Sequence, residues 1–343
     1  MKHEFIRNAA EAARLLGTVL PESADVVEQL YPVQITPYYL NLIDRNNPVN
    51  DPIWKQCMPD SGELLDPEAS FDPLSEEEQM PVARFIHRFA DRAVLLATGR
   101  CAVKCRFCFR KRTWKAGSDL PDISSQELES VCNYLKKNPQ IQEILVSGGD
   151  PLMLSTGRLR EILTALTSTG AISVIRIGSR VPVTFPDRID CELVNMLSEF
   201  DGMWLMTHFN HPAEVTPESA EACRKFVKVG IPVLNQAVLL RGVNDDAVIL
   251  EELFRKLVMM QVKPHYLFHV DPVKGVRHFA TGIEKGLEIL KEFRPRLSSL
   301  AVPTFAIDLP EGGGKVALQP DYRRDGGFIS IKDDKVVKYP GPL

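Results

Sequence analysis

Three cysteines share one short run, Cys101-Ala-Val-Lys-Cys105-Arg-Phe-Cys108, directly after the apolar stretch Ala93–Ala97. This C-x3-C-x2-C spacing supplies three thiolates on a loop small enough to wrap one face of an iron–sulfur cube. Four irons held by three protein ligands leave one iron open to bind something else. The competing readings are a zinc site lacking its fourth ligand, or three unrelated thiols. Zinc is usually held by C-x2-C pairs or mixed Cys/His sets, and no second cysteine pair lies elsewhere in the chain. The cluster is the reading that uses all three sulfurs.

Two glycine-rich runs follow. In Ser147-Gly148-Gly149-Asp150 the glycines would let the backbone approach a ligand and expose amide hydrogens, and an ordinary strand-to-helix turn is the plain alternative. Gly312-Gly-Gly-Lys315 resembles a phosphate loop superficially, but the upstream glycine is misplaced and Val316 stands where a Ser or Thr would be needed. It reads either as a glycine turn ending in a surface lysine or as a tether for a reactive one. Arg110 lies two residues beyond Cys108, so its planar guanidinium points toward the mouth of the cluster loop. Lys111 and Arg112 read in part as a solvated basic loop, and His208, His211 and His265 as packed or strand-end histidines.

The elements that must hold these residues alternate. Strands are expected at Ala93–Leu96, Glu143–Val146, Val174–Ser179, Met203–Thr207, Val233–Ala237 and His265–Phe268. Helix-period segments lie between and after them, at 125–137, 157–168, 190–199, 216–228, 246–260 and 282–296. Six β–α units imply a parallel sheet, either a barrel or a doubly wound open sheet. The cysteines, Ser147–Asp150, Arg180, Asn210, His211 and Asp271 all fall after successive strands, with Asn235 and Gln236 on the fifth. In a parallel barrel those strand ends share one mouth. Residues 1–35 read as helical, residues 45–84 as an irregular wrapping segment, and Phe328–Ile331 with Val336–Val337 as a terminal hairpin.

Composition narrows the function classes. A net charge of −4 gives no reason to expect a nucleic-acid partner, the basic run Arg106–Lys115 being the local exception. No uncharged apolar run reaches 18 residues, so no membrane partner is expected. The N-terminal Met1-Lys-His-Glu-Phe-Ile-Arg lacks a signal-peptide core. Beyond the triple, Cys57, Cys132, Cys191 and Cys223 are scattered singly, which argues for a reducing, cytoplasmic compartment.

The cysteine motif resembles the signature of radical S-adenosylmethionine enzymes. The runs Ile35-Thr-Pro-Tyr-Tyr, His87-Arg-Phe-Ala-Asp-Arg92, Cys108-Phe-Arg-Lys-Arg112, Ser147-Gly-Gly-Asp-Pro-Leu152, Arg176-Ile-Gly-Ser-Arg180, Leu234-Asn-Gln236, Arg241-Gly-Val-Asn-Asp245, His278-Phe279 and Gly312-Gly-Gly-Lys315 look, in this order, like the lysine 2,3-aminomutase family. The resemblance implies an α/β fold, a partial (β/α)6 TIM-like barrel over 91–300. An N-terminal helical and wrapping segment would occupy 1–90, and a C-terminal segment, 301–343, would carry the cofactor lysine.

It further implies a [4Fe-4S] cluster on Cys101, Cys105 and Cys108, with S-adenosyl-L-methionine on the open iron and its amine near Gly148, Gly149 and Asp150. Pyridoxal 5'-phosphate would form a Schiff base with Lys315, its phosphate reached by Arg88 and Arg92 and its ring near Gln236. Arg110 would bind the α-carboxylate of lysine, and Asp271 with Asp308 its far ammonium. The reaction so implied is the radical conversion of L-lysine to β-lysine by an isomerase, begun by a 5'-deoxyadenosyl radical. An electron donor such as flavodoxin or ferredoxin would be needed, and a homo-oligomer is compatible with the resemblance. Alternatives are the same reaction dedicated to modifying elongation factor P, an aminomutase of another amino acid such as glutamate, or an iron–sulfur electron carrier or regulator. Three departures stand out: Phe89 where the family has Tyr, Glu311 where it has a fourth glycine, and Asp246 at the first thiolate of a zinc site in longer relatives. The chain is accordingly expected to lack that zinc.

Overall fold

The computed structural model describes residues 5–66, 69–115, 118–324 and 326–340. Four short helices come first, α1 (Ala9–Leu16), α2 (Ala24–Leu30), α3 (Pro37–Leu40) and α4 (Pro52–Cys57). Asn8, Thr36 and Asp51 accept the first free amides of α1, α3 and α4, which is why these helices start where they do. The hairpin β1 (Phe85–Phe89) and β2 (Arg92–Thr98) leads into the cysteine loop, which ends on the small hairpin β3 (Trp114–Lys115) and β4 (Ser118–Asp119).

Strand–helix units then follow: α5 (Ser125–Lys137), β5 (Glu143–Gly148), α6 (Thr156–Thr167), β6 (Val174–Gly178), α7 (Val181–Thr184), α8 (Cys191–Ser198) and β7 (Met203–Thr207). They continue through α9 (Pro217–Lys228), β8 (Val233–Leu239), α10 (Ala247–Met259), β9 (Val262–His269), α11 (Ile283–Phe293), β10 (Thr304–Leu309) and β11 (Gly314–Leu318). A separate sheet of β12 (Arg323–Arg324), β13 (Gly327–Ile329) and β14 (Val336–Val337) includes the expected terminal hairpin, Phe328 opposite Val337.

The main sheet has nine strands in the order β1-β2-β5-β6-β7-β8-β9-β10-β11, parallel from β2 to β10 and antiparallel at both edges. Because the order never reverses, right-handed crossovers lay every helix on one face, and the sheet curls into a barrel. A doubly wound sheet would need a reversal, so that alternative is excluded. The six expected strands are all present, and β10 adds a seventh parallel one after a further β–α unit. The edges nearly meet, since a Cβ added at Gly314 on β11 would sit 3.4 Å from the Phe89 ring on β1.

Burial alternates along β8: Val233, Asn235, Ala237 and Leu239 are buried, while Leu234, Gln236 and Val238 on the other face keep partial exposure. Val233, Ala237 and Leu239 face outward and share one core with apolar helix residues such as Leu250, Leu253, Phe254 and Leu257 of α10. Asp246 caps α10, accepting from the amides of Val248 and Ile249. The segment between α4 and β1 pairs Ser70 with Val273 beyond β9, and the carbonyl of Pro73 accepts from the amide of Glu311 beyond β10. It therefore lies against the loops at the C-terminal ends of the strands. Among the described residues, no helix is long and apolar enough to cross a membrane.

Candidate active site

The cysteine loop is bolted to the N-terminal segment. The amides of Lys104 and Arg106 donate to the carbonyls of Gln34 and Gln56, each at 2.9 Å. Arg106 and Lys111 are buried, and both pair with Glu63, Arg106 through Nε and Nη2 (2.9 and 2.6 Å) and Lys111 through Nζ (2.6 Å). Burial alone would raise the Glu63 carboxyl, but the two cations outweigh it and hold it below the usual range. The expectation of a solvated basic loop is thus corrected: Lys111 sits on Glu63, and Arg112 on Asp72, Glu76 and Glu77, because a loop pressed between barrel and wrap cannot leave its cations in water.

Cys105 Sγ accepts a hydrogen bond from Arg180 Nη1 at 2.8 Å, and Arg180 is held in turn by Glu214 and Gln56, each at 2.6 Å. Burial, then the neighbouring sulfurs, push Cys101 well up and Cys108 to about 11. Three thiols that feel one another in this way call for a multiply charged cation when ionised. Among the described residues no three His, Cys, Asp or Glu side chains close around one metal ion. Three cysteine thiols on one loop are the donor set by which clusters are held, so the residues present fit that group.

In the Gly-Gly-Asp loop, two of the amide hydrogens that the sequence left open are already bonded. Gly148 has φ +113°, and a Cβ there would lie 2.4 Å from the carbonyl oxygen of Thr98; one on Gly149 would lie 2.4 Å from that of Arg100. The amides of Gly149 and Asp150 donate to those same two carbonyls at 2.6 Å. These two hydrogens are therefore spent on the chain leaving β2, and the glycines permit that close approach. The Asp150 carboxylate accepts from Ser179 Oγ and the Arg180 amide, both at 2.7 Å, tying β5 to the residues after β6. Burial still pushes Asp150 up to about 6.

Arg110 is buried. Its Nε and Nη2 donate to Glu76 at 2.9 and 2.7 Å, and its Nη1 lies 3.3 Å from Ser147 Oγ. Asp308 and Lys315 are cross-strand partners on β10 and β11, with Nζ 2.8 Å from Oδ2. Asp308 Oδ1 has no hydrogen bond, and Arg88 Nη1 approaches it at 3.8 Å. Asp271 lies close enough to feel this pair: burial, then the charge of Asp308, push it up to about 7, while Lys315 pulls the other way. Arg110 and Glu76 act on Asp271 as well, so the two groups belong to one site.

Gln79 and the carbonyl of Leu74 hold Arg88, at 2.6 and 3.0 Å. Arg92 stacks 4.0 Å over the Phe89 ring, on the residue that Gly314 faces. Lys315 has a half-exposed side chain, with Arg88 reaching its partner Asp308 while Arg92 pairs with Asp91; an amine with an arginine beside it fits an aldehyde cofactor bearing a phosphate. Gln236 lies on the inward face of β8, next to a register shift. The tether is strained, with Glu311 at φ +56° between Pro310 and Gly312 at +76°.

Sequence reasoning missed Glu63 and Glu76. The acidic run Ser75-Glu-Glu-Glu78 was a signal, but nothing local says which glutamate meets which arginine.

Residues 95–253 match the family model described as the Radical SAM superfamily, and residues 290–339 the one described as Lysine-2,3-aminomutase. The chain is 41% identical to the L-lysine 2,3-aminomutase of Clostridium subterminale, over 97% of this chain and 80% of that protein. It is 44% identical to the L-lysine 2,3-aminomutase of Fusobacterium nucleatum, over 84% and 67%. It is also 40% identical to the glutamate 2,3-aminomutase of Clostridioides difficile, over 89% and 72%. Among solved structures, Streptococcus suis SuiB bound to S-adenosylmethionine is similar with a TM-score of 0.48 and 14% identity, covering 64% of this chain and 50% of that one.

Proposed function

The chain belongs to the lysine 2,3-aminomutase family of radical SAM enzymes, and from that premise we propose that it converts L-lysine to β-lysine, with Arg110 and the Asp271–Asp308 pair gripping the substrate from its two ends. It is an isomerase whose cofactors are a [4Fe-4S] cluster, S-adenosyl-L-methionine and pyridoxal phosphate. When bound, these supply the hydrogen abstraction and the activation of the amino group.

The protein's part is to bind, orient and shield. Cys101, Cys105 and Cys108 hold the cluster, and Arg180 donates to the Cys105 sulfur. Lys315 carries pyridoxal phosphate, with Arg88 and Arg92 at its phosphate and Gln236 beside its ring. Gly148, Gly149 and Asp150 lie near the amine of S-adenosylmethionine, and their bonds to Thr98 and Arg100 also lock the cysteine loop against β5. Of the expected segments, 1–90 acts as wrap apart from β1, 91–300 is the main part of the cofactor barrel, and 301–343 carries the lysine while its strands β10 and β11 complete the barrel sheet. A cytoplasmic setting and an electron donor of the flavodoxin or ferredoxin type complete the reading.

One observation carries the substrate choice: Asp271 lies within electrostatic reach of Asp308, Lys315 and Arg110 alike, so two carboxylates and a guanidinium share one site. Identity does not decide it, since lysine- and glutamate-acting relatives are 41% and 40% identical. Two acids near a substrate's far end select a cation there and repel a second carboxylate. Anaerobic assay of the cluster-reconstituted protein with lysine, glutamate and alanine tests this. Lysine should be preferred, and a preference for glutamate refutes it. Borohydride should fix pyridoxal phosphate to Lys315, and a map to another lysine overturns that assignment.

A further inference from the structure

A guanidinium offers two edges to a carboxylate, one made by Nε with the nearer Nη and one made by the two Nη atoms. In Arg110 the first edge is already taken. Glu76 Oε2 lies 2.9 Å from Nε and Oε1 lies 2.7 Å from Nη2. What remains is the outer edge, whose Nη1 reaches Ser147 Oγ at 3.3 Å, at the C-terminal end of β5. The clamp therefore turns the free edge toward the barrel mouth and prevents the side chain from offering its other face.

The same carboxylate also accepts from Arg112 Nη2 at 2.8 Å, so one glutamate holds two arginines of the loop that begins at Cys108. Glu76 is 4% exposed, and the arginines outweigh burial and hold its carboxyl down at about 2. It stays ionised across any working pH.

Glu76 belongs to neither barrel nor cysteine loop. The short segment that carries it also holds Arg88 through Gln79 and contacts the Lys315 tether through Pro73. One strap thus touches both Arg110 and the segment that carries Lys315. A side chain held in its binding geometry before the ligand arrives loses less entropy on binding.

We infer that Glu76 is a positioning residue for substrate recognition: by clamping the inner edge of Arg110 it presents the outer edge to the α-carboxylate, and it makes the site discriminate an amino acid from the corresponding decarboxylated diamine. This rests on the reading of Arg110 as the carboxylate ligand.

The test compares L-lysine with 1,5-diaminopentane, which keeps both amines and lacks the carboxylate. Dissociation constants are read from the absorbance of bound pyridoxal phosphate in the cluster-loaded holoenzyme, without reductant, so no turnover intervenes. The wild type should favour lysine. Glu76→Gln should weaken lysine by about tenfold and leave the diamine unchanged, since only the carboxylate-bearing ligand uses the oriented edge. Glu76→Asp, which keeps the charge, should recover part of the loss. Arg110→Lys, measured alongside, should collapse the preference. If Arg110→Lys lowers the lysine-to-diamine ratio and Glu76→Gln does not, the clamp is not a positioning device. If neither lowers it, the carboxylate reading of Arg110 fails. Should Glu76→Gln not fold, Glu76→Asp alone decides, and a wild-type ratio in that variant overturns the inference.

Discussion

The two charged ends of the site, Arg110 with Glu76 and Asp308 with Lys315, are built on opposite principles. At the guanidinium side, Arg110 is 8% exposed and pre-clamped by a carboxylate from a distant segment. At the carboxylate side, Asp308 leaves one oxygen unbonded, and its other oxygen is taken by Lys315, whose side chain is 41% exposed. The first is finished before any ligand arrives. The second is provisional on the proposed reading: Lys315 pairs with the carboxylate proposed for the substrate ammonium, and would have to leave it to carry pyridoxal phosphate. A rigid end and a yielding end suit a reaction in which one lysine amine is repeatedly exchanged for another. The difference also says where mutations should hurt most, because a buried, pre-oriented ion pair tolerates less change than a half-solvated one.

The sharpest way to break the comparison is Arg110→Lys. A point charge cannot reproduce the planar fork, and Glu76 would remain buried with a poorer partner, so kcat/KM for lysine should fall by about two to three orders of magnitude. Iron content and bound pyridoxal phosphate should be unchanged, and retention of near wild-type kcat/KM would remove the rigid end from the argument. Asp308→Asn should cost less, about one to two orders, because Asp271 remains to pair the ammonium. An Asp308→Asn defect larger than that of Arg110→Lys would reverse the ranking.

A pH profile sharpens the yielding end. Asp271 is raised to about 7, by burial first and then by Asp308, so below that pH it is increasingly protonated and neutral. An ammonium needs the carboxylate, so KM for lysine should rise as pH falls through about 7. In Asp308→Asn the repulsion is gone, and the edge should move to lower pH. An unmoved edge would mean that the two aspartates do not share a site.

The smallest effect is expected at the tether. Glu311 sits at φ +56°, in the left-handed region where a Cβ costs about 1–2 kcal/mol. Glu311→Gly should relieve this, offset in part by the greater freedom of the unfolded chain, for a net gain below about 1 kcal/mol. Thermal unfolding should shift upward by about 1 °C. A downward shift would mean that the carboxylate has a stabilising partner in solution.

Much of the barrel was legible in the amino-acid order, because its signals are local. Apolar runs of strand length alternate with helical periodicity, and α5 and β7 lie at the expected residues, 125–137 and 203–207. The three cysteines needed no fold to be noticed, and the Gly-Gly-Gly-Lys tether carried its own conformational signature. The antiparallel edges β1 and β11 were less legible, since a strand that closes a sheet is defined by what it meets.

Least legible was the strap between α4 and β1. Its sequence is polar and aperiodic, and its value lies in pairings across the chain, Glu63 with Arg106 at a separation of 43 residues and Glu76 with Arg110 at 34. The amino-acid order alone determined which chemical groups the protein possesses and which elements carry them. Only the tertiary structure decided which charges are buried together, because desolvation turns an ordinary surface glutamate into an obligatory partner, and desolvation is a property of the fold.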